Sequence, residues 1–547
     1  MSKFVFGIDL GTTYSCIAYV DENGIPTVIK NNEGTNTTPS VVNFASSGEV
    51  VVGGVAKDSA VIEPNNSVEF VKRLMGKTDF AINYDGEDKS PEEISSYILR
   101  KLAKDASEQL DTEVKDVVIT CPAYFGLAER KATKNAGEMA GLNVLEVISE
   151  PTAAALYYGC TKASDEKTFL VYDLGGGTFD VTIMRISSEK IEIICSEGEH
   201  ELGGKDWDEA VMRHLTSEFC KETGFKGDFD VYAQQDLRLK AEKAKQQLTS
   251  REKVPVMIDA TGKKGKVTVS RECFDNITES LLRQTIEKTD ETIKIAEEKG
   301  YHVDEILLVG GSTRMPQVKK ILHETYNIEP KILDPDEAVA KGAAIHAVNV
   351  YIKNQKNFNV FLNEEIVEGE NDPEIDEPIG NPGDYKGSLS SGPTIGGKGS
   401  VEIINATTKS YALKVLRNGN EEKCYNMIIK NTAMPDGKVS VCETFGTAAD
   451  NQQTVEIIVY ENDFMDEFFD VDDDYIVGTA SLGLPGNLPS NAPIEVTFSL
   501  NSEGILEVDG RDVTSNKEVH ATMEVNGIIS PEKVAEIAEK SKDIVIL

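Results

Sequence analysis

FVFGIDLGTTYSCIAYV at residues 4–20 returns in altered form as FLVYDLGGGTFDVTIMRI at 169–186. Each copy reads as a strand, then Asp-Leu-Gly, a turn of small residues, an aromatic residue and a second strand. A turn built from Gly and Thr lets backbone N–H groups come close to an anion, and the Thr hydroxyls add donors. The aspartate at the end of each first strand can face a metal ion bound to that anion. One such turn is also an ordinary hairpin. Two in one chain, in matched surroundings, point to two related lobes that clamp a polyphosphate. Two further glycine turns, ELGGKDWD at 201–208 and EILLVGGSTRMP at 305–316, fit the same picture but also read as plain turns.

Around these hairpins the chain divides by pattern. Its 547 residues leave room for two to four domains at ~150 residues each. From 1 to 353, strands alternate with helical patterns, as in an α/β domain with mixed sheets. Helices are expected at 91–110, 126–141, 231–249 and 271–299, the first opened by Ser90 as cap and Pro91 at its first position. Residues 354–400 are acidic, then rich in Gly, Pro and Ser, and read as a flexible linker. Residues 401–525 read as all-β, and 526–547 as a short closing helix.

The chain carries 93 acidic and 56 basic residues, a formal charge of −37. That balance argues against nucleic acid, which calls for a clustered basic face, and against an anionic membrane. Eight cysteines lie at irregular spacings without a CxxC pair, as expected of reduced thiols in the cytoplasm. The start, MSKFVFGIDLG, reads as a strand rather than a signal peptide, and no apolar run approaches the ~18 residues of a membrane span.

In order and spacing these motifs resemble one family, the heat-shock 70-kDa (DnaK-like) chaperones. GIDLGTTYSC (7–16), FVKRLMG (70–76), CPAYF (121–125), SEPTAAALYYG (149–159), DLGGGTFDVT (173–182), ELGGKDWD (201–208), EKAKQQLTS (242–250), VGGSTRMP (309–316) and DPDEAVAKGAA (334–344) carry the likeness. The β region is similar through IIKNTAMP (428–435), FGTAADNQ (445–452) and IEVTFSLNSEGILEV (494–508). The resemblance implies a two-lobed, actin-like (ribonuclease H-like) α/β ATPase domain followed by an all-β sandwich that binds peptides.

It also implies a site. Asp9 and Asp173 would hold a hydrated Mg²⁺, while Asp9, Asp180 and the Tyr14 carbonyl would suit K⁺. Gly11, Thr12, Thr13 and Tyr14, with Gly175, Gly176, Gly177, Gly203 and Gly204, would cradle the phosphates of ATP or ADP. Lys72 would reach the γ-phosphate and the attacking water, Glu150 and Asp173 would orient that water, and the Thr178 hydroxyl would steady the γ-phosphate. Glu242, Lys245, Gln246, Thr249, Gly310, Gly311, Ser312, Arg314 and Asp336 would take the adenosine. At Gln246 many members have an arginine able to stack on adenine; glutamine keeps only a flat amide. Pro122 and Arg130 match the family's proline switch and relay arginine. Phe445, Ala448 and Val455 align with the apolar wall of the peptide cleft.

The chain also departs from the family. Glu146 stands where members have an arginine that receives a J-domain aspartate, so weaker use of J-domain co-chaperones is expected; a nucleotide-exchange factor is a further expected partner. Val401-Glu402-Ile403-Ile404-Asn405 replaces an apolar docking linker, and a glutamate buried there would cost desolvation and weaken coupling between the domains. RNGNEEKCYNM at 417–427 would form an acidic arch over the cleft, or point its glutamates to solvent. DFMDEFFDVDDD at 463–474 reads as a second contact surface for basic clients, or as an acidic loop with buried phenylalanines. The helical lid is reduced to SPEKVAEIAEKSKD at 530–543, so bound peptides should exchange quickly. The resulting expectation is an ATP-hydrolysing chaperone for extended segments of unfolded proteins. The alternative is a co-chaperone or scaffold of the same family that binds ATP and rarely hydrolyses it. A small-molecule kinase on the same fold would leave the β domain without a role.

Overall fold

The two glycine hairpins sit at the centres of two sheets that share one plan. In the first, the strand order is Asn143–Ser149, Asp116–Cys121, Phe6–Asp9, Tyr14–Val20, Pro26–Val28. In the second it begins Lys331–Ile332, Glu305–Val309, Lys167–Leu174, Phe179–Ile186, Lys190–Glu199. Each sheet pairs its first three strands in parallel and then turns back through two antiparallel hairpins. The sequence near-repeat is therefore a repeat of topology. The structure is a computed structural model that describes every residue except 1–3, 46–48, 78–79, 85, 163–165, 188–189, 261, 333, 366–400, 418–420, 502–503 and 524–528.

The expected helices form at Pro91–Leu110, Leu127–Met139, Val231–Leu248 and Arg271–Glu298. Ser90 caps the first as read from the sequence, its Oγ accepting from Glu93 N at 3.2 Å. Parallel strands buried on both faces read as continuous apolar runs, and Leu170, Val171 and Tyr172 are fully buried. The helix Ala338–Glu365 runs past residue 354, where the linker was expected to begin; most of that linker, 366–400, lies outside the described residues.

After the linker, two antiparallel sheets face each other. One has the order Phe468–Phe469, Glu421–Ile428, Ser410–Arg417, Thr454–Asn462, Ile476–Gly483; the other has Lys438–Gly446, Pro493–Asn501, Leu506–Asp512, Lys517–Met523. Their inward residues, among them Leu413, Val459, Phe498 and Val508, make one core. Two readings left open by the sequence can be compared with the structure here. Most of the 417–427 arch is a strand, Glu421–Ile428, in which Glu422 pairs with Lys414 at 2.8 Å and Glu421 with Lys423 at 3.2 Å. The glutamates thus point to solvent, bonded to lysines of their own sheet. The 463–474 loop returns to the sheet through Phe468–Phe469, and the tilted rings of Phe464 and Phe469 meet with centres 5.0 Å apart.

The strand Glu402–Ala406 belongs to the first body rather than the second. It adds in parallel to the edge of Lys190–Glu199, Glu402 opposite Lys190 and Ile404 opposite Glu192. Val401 and Ile403 pack on the core of the α/β body, while Glu402 between them is exposed. The expected desolvation cost does not arise, because alternation along the strand turns the glutamate to water. The closing helix Pro531–Ser541 packs on Leu127–Met139 of the α/β body, not over the β sandwich.

Candidate functional site

The two hairpin turns meet across a cleft with about 550 Å³ of open space. Asp9 ends one central strand and Asp173 nearly ends the other, so both carboxylates reach the cleft floor. Asp173 is directly opposite Asp180 in the second hairpin, whereas Asp9 is opposite Cys16 in the first. Asp180 lies just behind the lining and is almost wholly buried.

Lys72 enters from a single helical turn, Val71–Leu74. The preceding Phe70 is left-handed (φ 60°), an uncommon conformation for an aromatic residue and one that re-aims the chain. Lys72 is 5% exposed, and its ammonium donates to Glu150 at the start of the helix Glu150–Lys162. Burial opposes its charge, but Glu150 and Asp9 outweigh that and hold its pKa above the usual lysine value. The carboxylates bear the opposite strain. Burial and the charge of Glu150 push Asp9 up to about 7, and the same two causes hold Asp173 and Asp180 well above the carboxylate range. This cluster has more negative charge than one lysine neutralises. Asp180 Oδ1 and Thr13 Oγ1 are buried with no hydrogen-bond partner among the described residues. Also among the described residues, no three acidic, His or Cys side chains converge closely enough to ligate one ion directly. The donor set therefore fits a cation that keeps its water shell.

The loops expected to cradle phosphates are shaped by close backbone approach. Gly203 lies behind the lining, where a Cβ would stand 2.6 Å from the Gly177 backbone. Gly310 has φ 82° and lies against Leu174 and Asp173, so a side chain there is excluded twice. Gly11, Thr12, Thr13, Tyr14, Gly175, Gly176, Thr178 and Gly204 line the cleft itself, and Gly177 backs it beside Thr12.

On the adenosine side the predicted residues also converge, except that several are bonded to one another. Glu242 accepts from the Tyr14 hydroxyl at 3.1 Å and pairs with Lys57 at 2.6 Å, closing the cleft mouth between the two lobes. Gln246 donates to Glu242 at 3.3 Å, Arg314 pairs with Asp336, and Ser312 Oγ donates to the Gly175 carbonyl at 2.8 Å. Thr249, Gly310 and Gly311 complete the wall. Lys57, Arg73, Asp206 and Asp208 were not singled out in the sequence. Arg73 donates to the Gly177 carbonyl at 2.7 Å and pairs with Asp206 at 2.6 Å, holding one phosphate loop to the helix Gly204–Thr223. Lys245 bonds Asp208 at 2.9 Å and the Gly204 carbonyl at 2.8 Å. The ELGGKDWD motif contained both aspartates, but nothing in it told their partners.

Pro122 is buried in the turn before Leu127–Met139, and Arg130 Nε donates to the Phe125 carbonyl at 3.0 Å. Glu146 is not an open surface carboxylate. It lies 2.9 Å from His346 Nε2, and despite burial His346 draws its pKa below the usual glutamate value. Glu146 and Arg130 line a small cavity, about 60 Å³, against Asn405 of the linker strand and Tyr411 of the sandwich. Further contacts join the two bodies there. Lys430 pairs with Glu197 at 2.8 Å, Ser196 N donates to Asn431 at 3.0 Å, and Glu461 accepts from Leu127 N at 3.0 Å. In the sandwich, Phe445 and Val455 pack half-buried on the core, Phe445 edge-on to Tyr425 at 5.9 Å; Ala448 is exposed in the turn between them.

The Hsp70 protein family model matches residues 5–83, 77–364 and 398–545. The chaperone protein DnaK of Thermotoga neapolitana is 38% identical over 99% of this chain and 83% of its own length. The DnaK proteins of Thermosipho melanesiensis and Thermosipho africanus are 37% and 36% identical with the same coverage. With matches on both sides of the linker and relatives aligned over nearly the whole length, the chain belongs to the Hsp70 family of ATP-dependent chaperones.

Proposed function

We propose that this chain hydrolyses ATP in the cleft between two actin-like lobes and uses the reaction to control the hold of its β sandwich on extended segments of unfolded proteins. The observation that carries the reading is the buried Lys72–Glu150 pair facing Asp9 and Asp173 between two glycine hairpins. Phosphoryl transfer of this kind rests on positioning and charge stabilisation. The loops Gly11–Tyr14 and Gly175–Thr178 would orient the phosphates with backbone N–H groups and the Thr13 and Thr178 hydroxyls. Lys72 would place its ammonium at the γ-phosphate, and Glu150 and Asp173 would accept hydrogen bonds from the attacking water. Asp9 and Asp173 would hold hydrated Mg²⁺, which when bound neutralises phosphate charge. Asp9, Asp180 and the Tyr14 carbonyl are the candidate K⁺ ligands.

Val415, Tyr425, Phe445 and Val455, half-buried on one core, are the proposed apolar wall for peptides. The exposed Glu402 removes one reason to expect weak coupling, because the linker strand can dock without burying charge. Glu146, tied to His346 beside Arg130, supports altered use of J-domain partners. Among the described residues no helix is long and apolar enough to cross a membrane. Steady-state ATPase with and without an unfolded peptide tests the proposal. Peptide stimulation is expected; turnover that Lys72→Ala leaves unchanged in a single-turnover experiment would favour the rarely hydrolysing scaffold instead.

A further inference from the structure

The segment after the closing helix does something its sequence did not announce. Ile544, Val545, Ile546 and Leu547 run alongside Val50–Val52, the outer strand of a three-stranded sheet whose order ends Val50–Val52, Val41–Phe44, Ser67–Glu69. Val50 N donates to the Val545 carbonyl at 3.1 Å, Val52 N to the Leu547 carbonyl at 3.0 Å, and Leu547 N to the Val50 carbonyl at 3.0 Å. From the helix Pro91–Leu110, the Arg100 guanidinium donates to the carbonyls of Ser541 and Ile544, and Lys104 Nζ to the Ile546 carbonyl at 2.9 Å. Side chains alternate: Ile546 is 5% exposed and joins the core of the first lobe, Ile544 packs half-buried beside it, and Val545 and Leu547 face water.

We propose that the edge of Val50–Val52, with Arg100 and Lys104, is a strand-addition site, and that residues 544–547 fill it as a releasable latch on the arrangement of the two bodies. Recognition is of backbone carbonyls plus one alternating apolar side chain, the chemistry of an added β-strand. The seat is small, with three backbone hydrogen bonds and one fully buried side chain, so it can open. It also bears on the interface between the bodies. The latch tethers the helix Pro531–Ser541, whose Val534 is 3% exposed, against Leu127–Met139. The first amide of that same helix, Leu127 N, is the group that Glu461 of the sandwich accepts from. Latch, closing helix and sandwich thus all load one element.

The test uses the full chain with two substitutions. Ile546→Asp removes the buried side chain, and Leu547→Pro removes the N–H given to Val50 without touching the buried position. Hydrogen exchange is read at the amides of Val50, Val52 and Leu127. For Ile546→Asp we expect about thirtyfold faster exchange at Val50 and Val52, the loss set by one buried aliphatic side chain. Leu547→Pro should act in the same direction. Exchange at Leu127 should quicken in both, and a synthetic peptide of residues 540–547 should restore protection to the Ile546→Asp protein. Unchanged exchange at Val50 and Val52 would overturn the site. A gain confined to those two amides, with Leu127 unmoved, would overturn the latch.

Discussion

Glu461→Gln isolates a carboxyl that the sandwich contributes to the start of the helix Leu127–Met139 of the α/β body. Glu461 is half-buried, accepts from Leu127 N at 3.0 Å, and lies near Glu129, whose own carboxylate accepts from Gly126 N at 3.1 Å. Burial first, and then the charge of Glu129, push its pKa up to about 7, against the opposing pull of the Leu127 N–H, Lys409 and Tyr411. When the bodies separate, this carboxyl returns to water and to an ordinary glutamate value. The docked form therefore has the raised pKa and binds the proton more tightly. Docking is strongest where Glu461 is protonated in both forms and weakens as pH rises towards 7, reaching a loss of about 3 kcal/mol, roughly a hundredfold in the docking equilibrium. Glutamine keeps an acceptor for Leu127 N and removes the charge. The variant should dock more tightly than the parent above pH 7, and its docking should be much less dependent on pH. Fluorescence transfer between one label on each body, read from pH 5.5 to 8.5, measures this. A parent protein with flat docking across that range, or a variant that keeps the parent's slope, would refute the reasoning.

Lys72→Ala should lower single-turnover ATP hydrolysis by roughly 10²–10³ while nucleotide binding, measured by calorimetry, persists. Glu402→Lys should change docking of the linker strand by less than about 0.5 kcal/mol, since the side chain is in water, whereas Ile404→Asp should abolish it; protection of the Lys190–Glu199 edge from exchange reads both. Glu146→Arg would set a second cation beside Arg130 and His346, so it should destabilise the α/β body by about 1–3 kcal/mol in thermal unfolding. Stimulation of the parent's ATPase by an ordinary J-domain protein is expected to be weak, and full stimulation would defeat that reading of Glu146.

The sequence by itself determined the elements and the floor of the cleft. Local chemistry suffices there: Ser90 before Pro91 starts a helix wherever it occurs, and a Gly-Thr turn after a strand-ending aspartate makes an anion cradle from backbone alone. That is why the two hairpins, their strand-ending Asp9 and Asp173, and the main helices were legible before any coordinates, whereas Lys72 and Glu150 stood out only through the family resemblance. What only the tertiary structure decided was the partner of each charge. Glu146 faces His346, 200 residues away in the chain; Glu242 closes on Lys57; and Arg73 braces a phosphate loop through Asp206. Glu402 was read as a buried cost and is solvated, because the register of one parallel pairing sets which face each residue takes. The acidic run at 421–422 left open an arch over the cleft or glutamates in solvent, and the fold takes the second, in a strand whose charges neighbouring lysines absorb. Residues Ile544–Leu547 fall in the stretch expected as a closing helix, yet they extend a sheet whose nearest strand lies almost five hundred residues earlier. Ion pairing and edge pairing depend on distances that chain separation does not encode, so these contacts emerge only once the chain is folded.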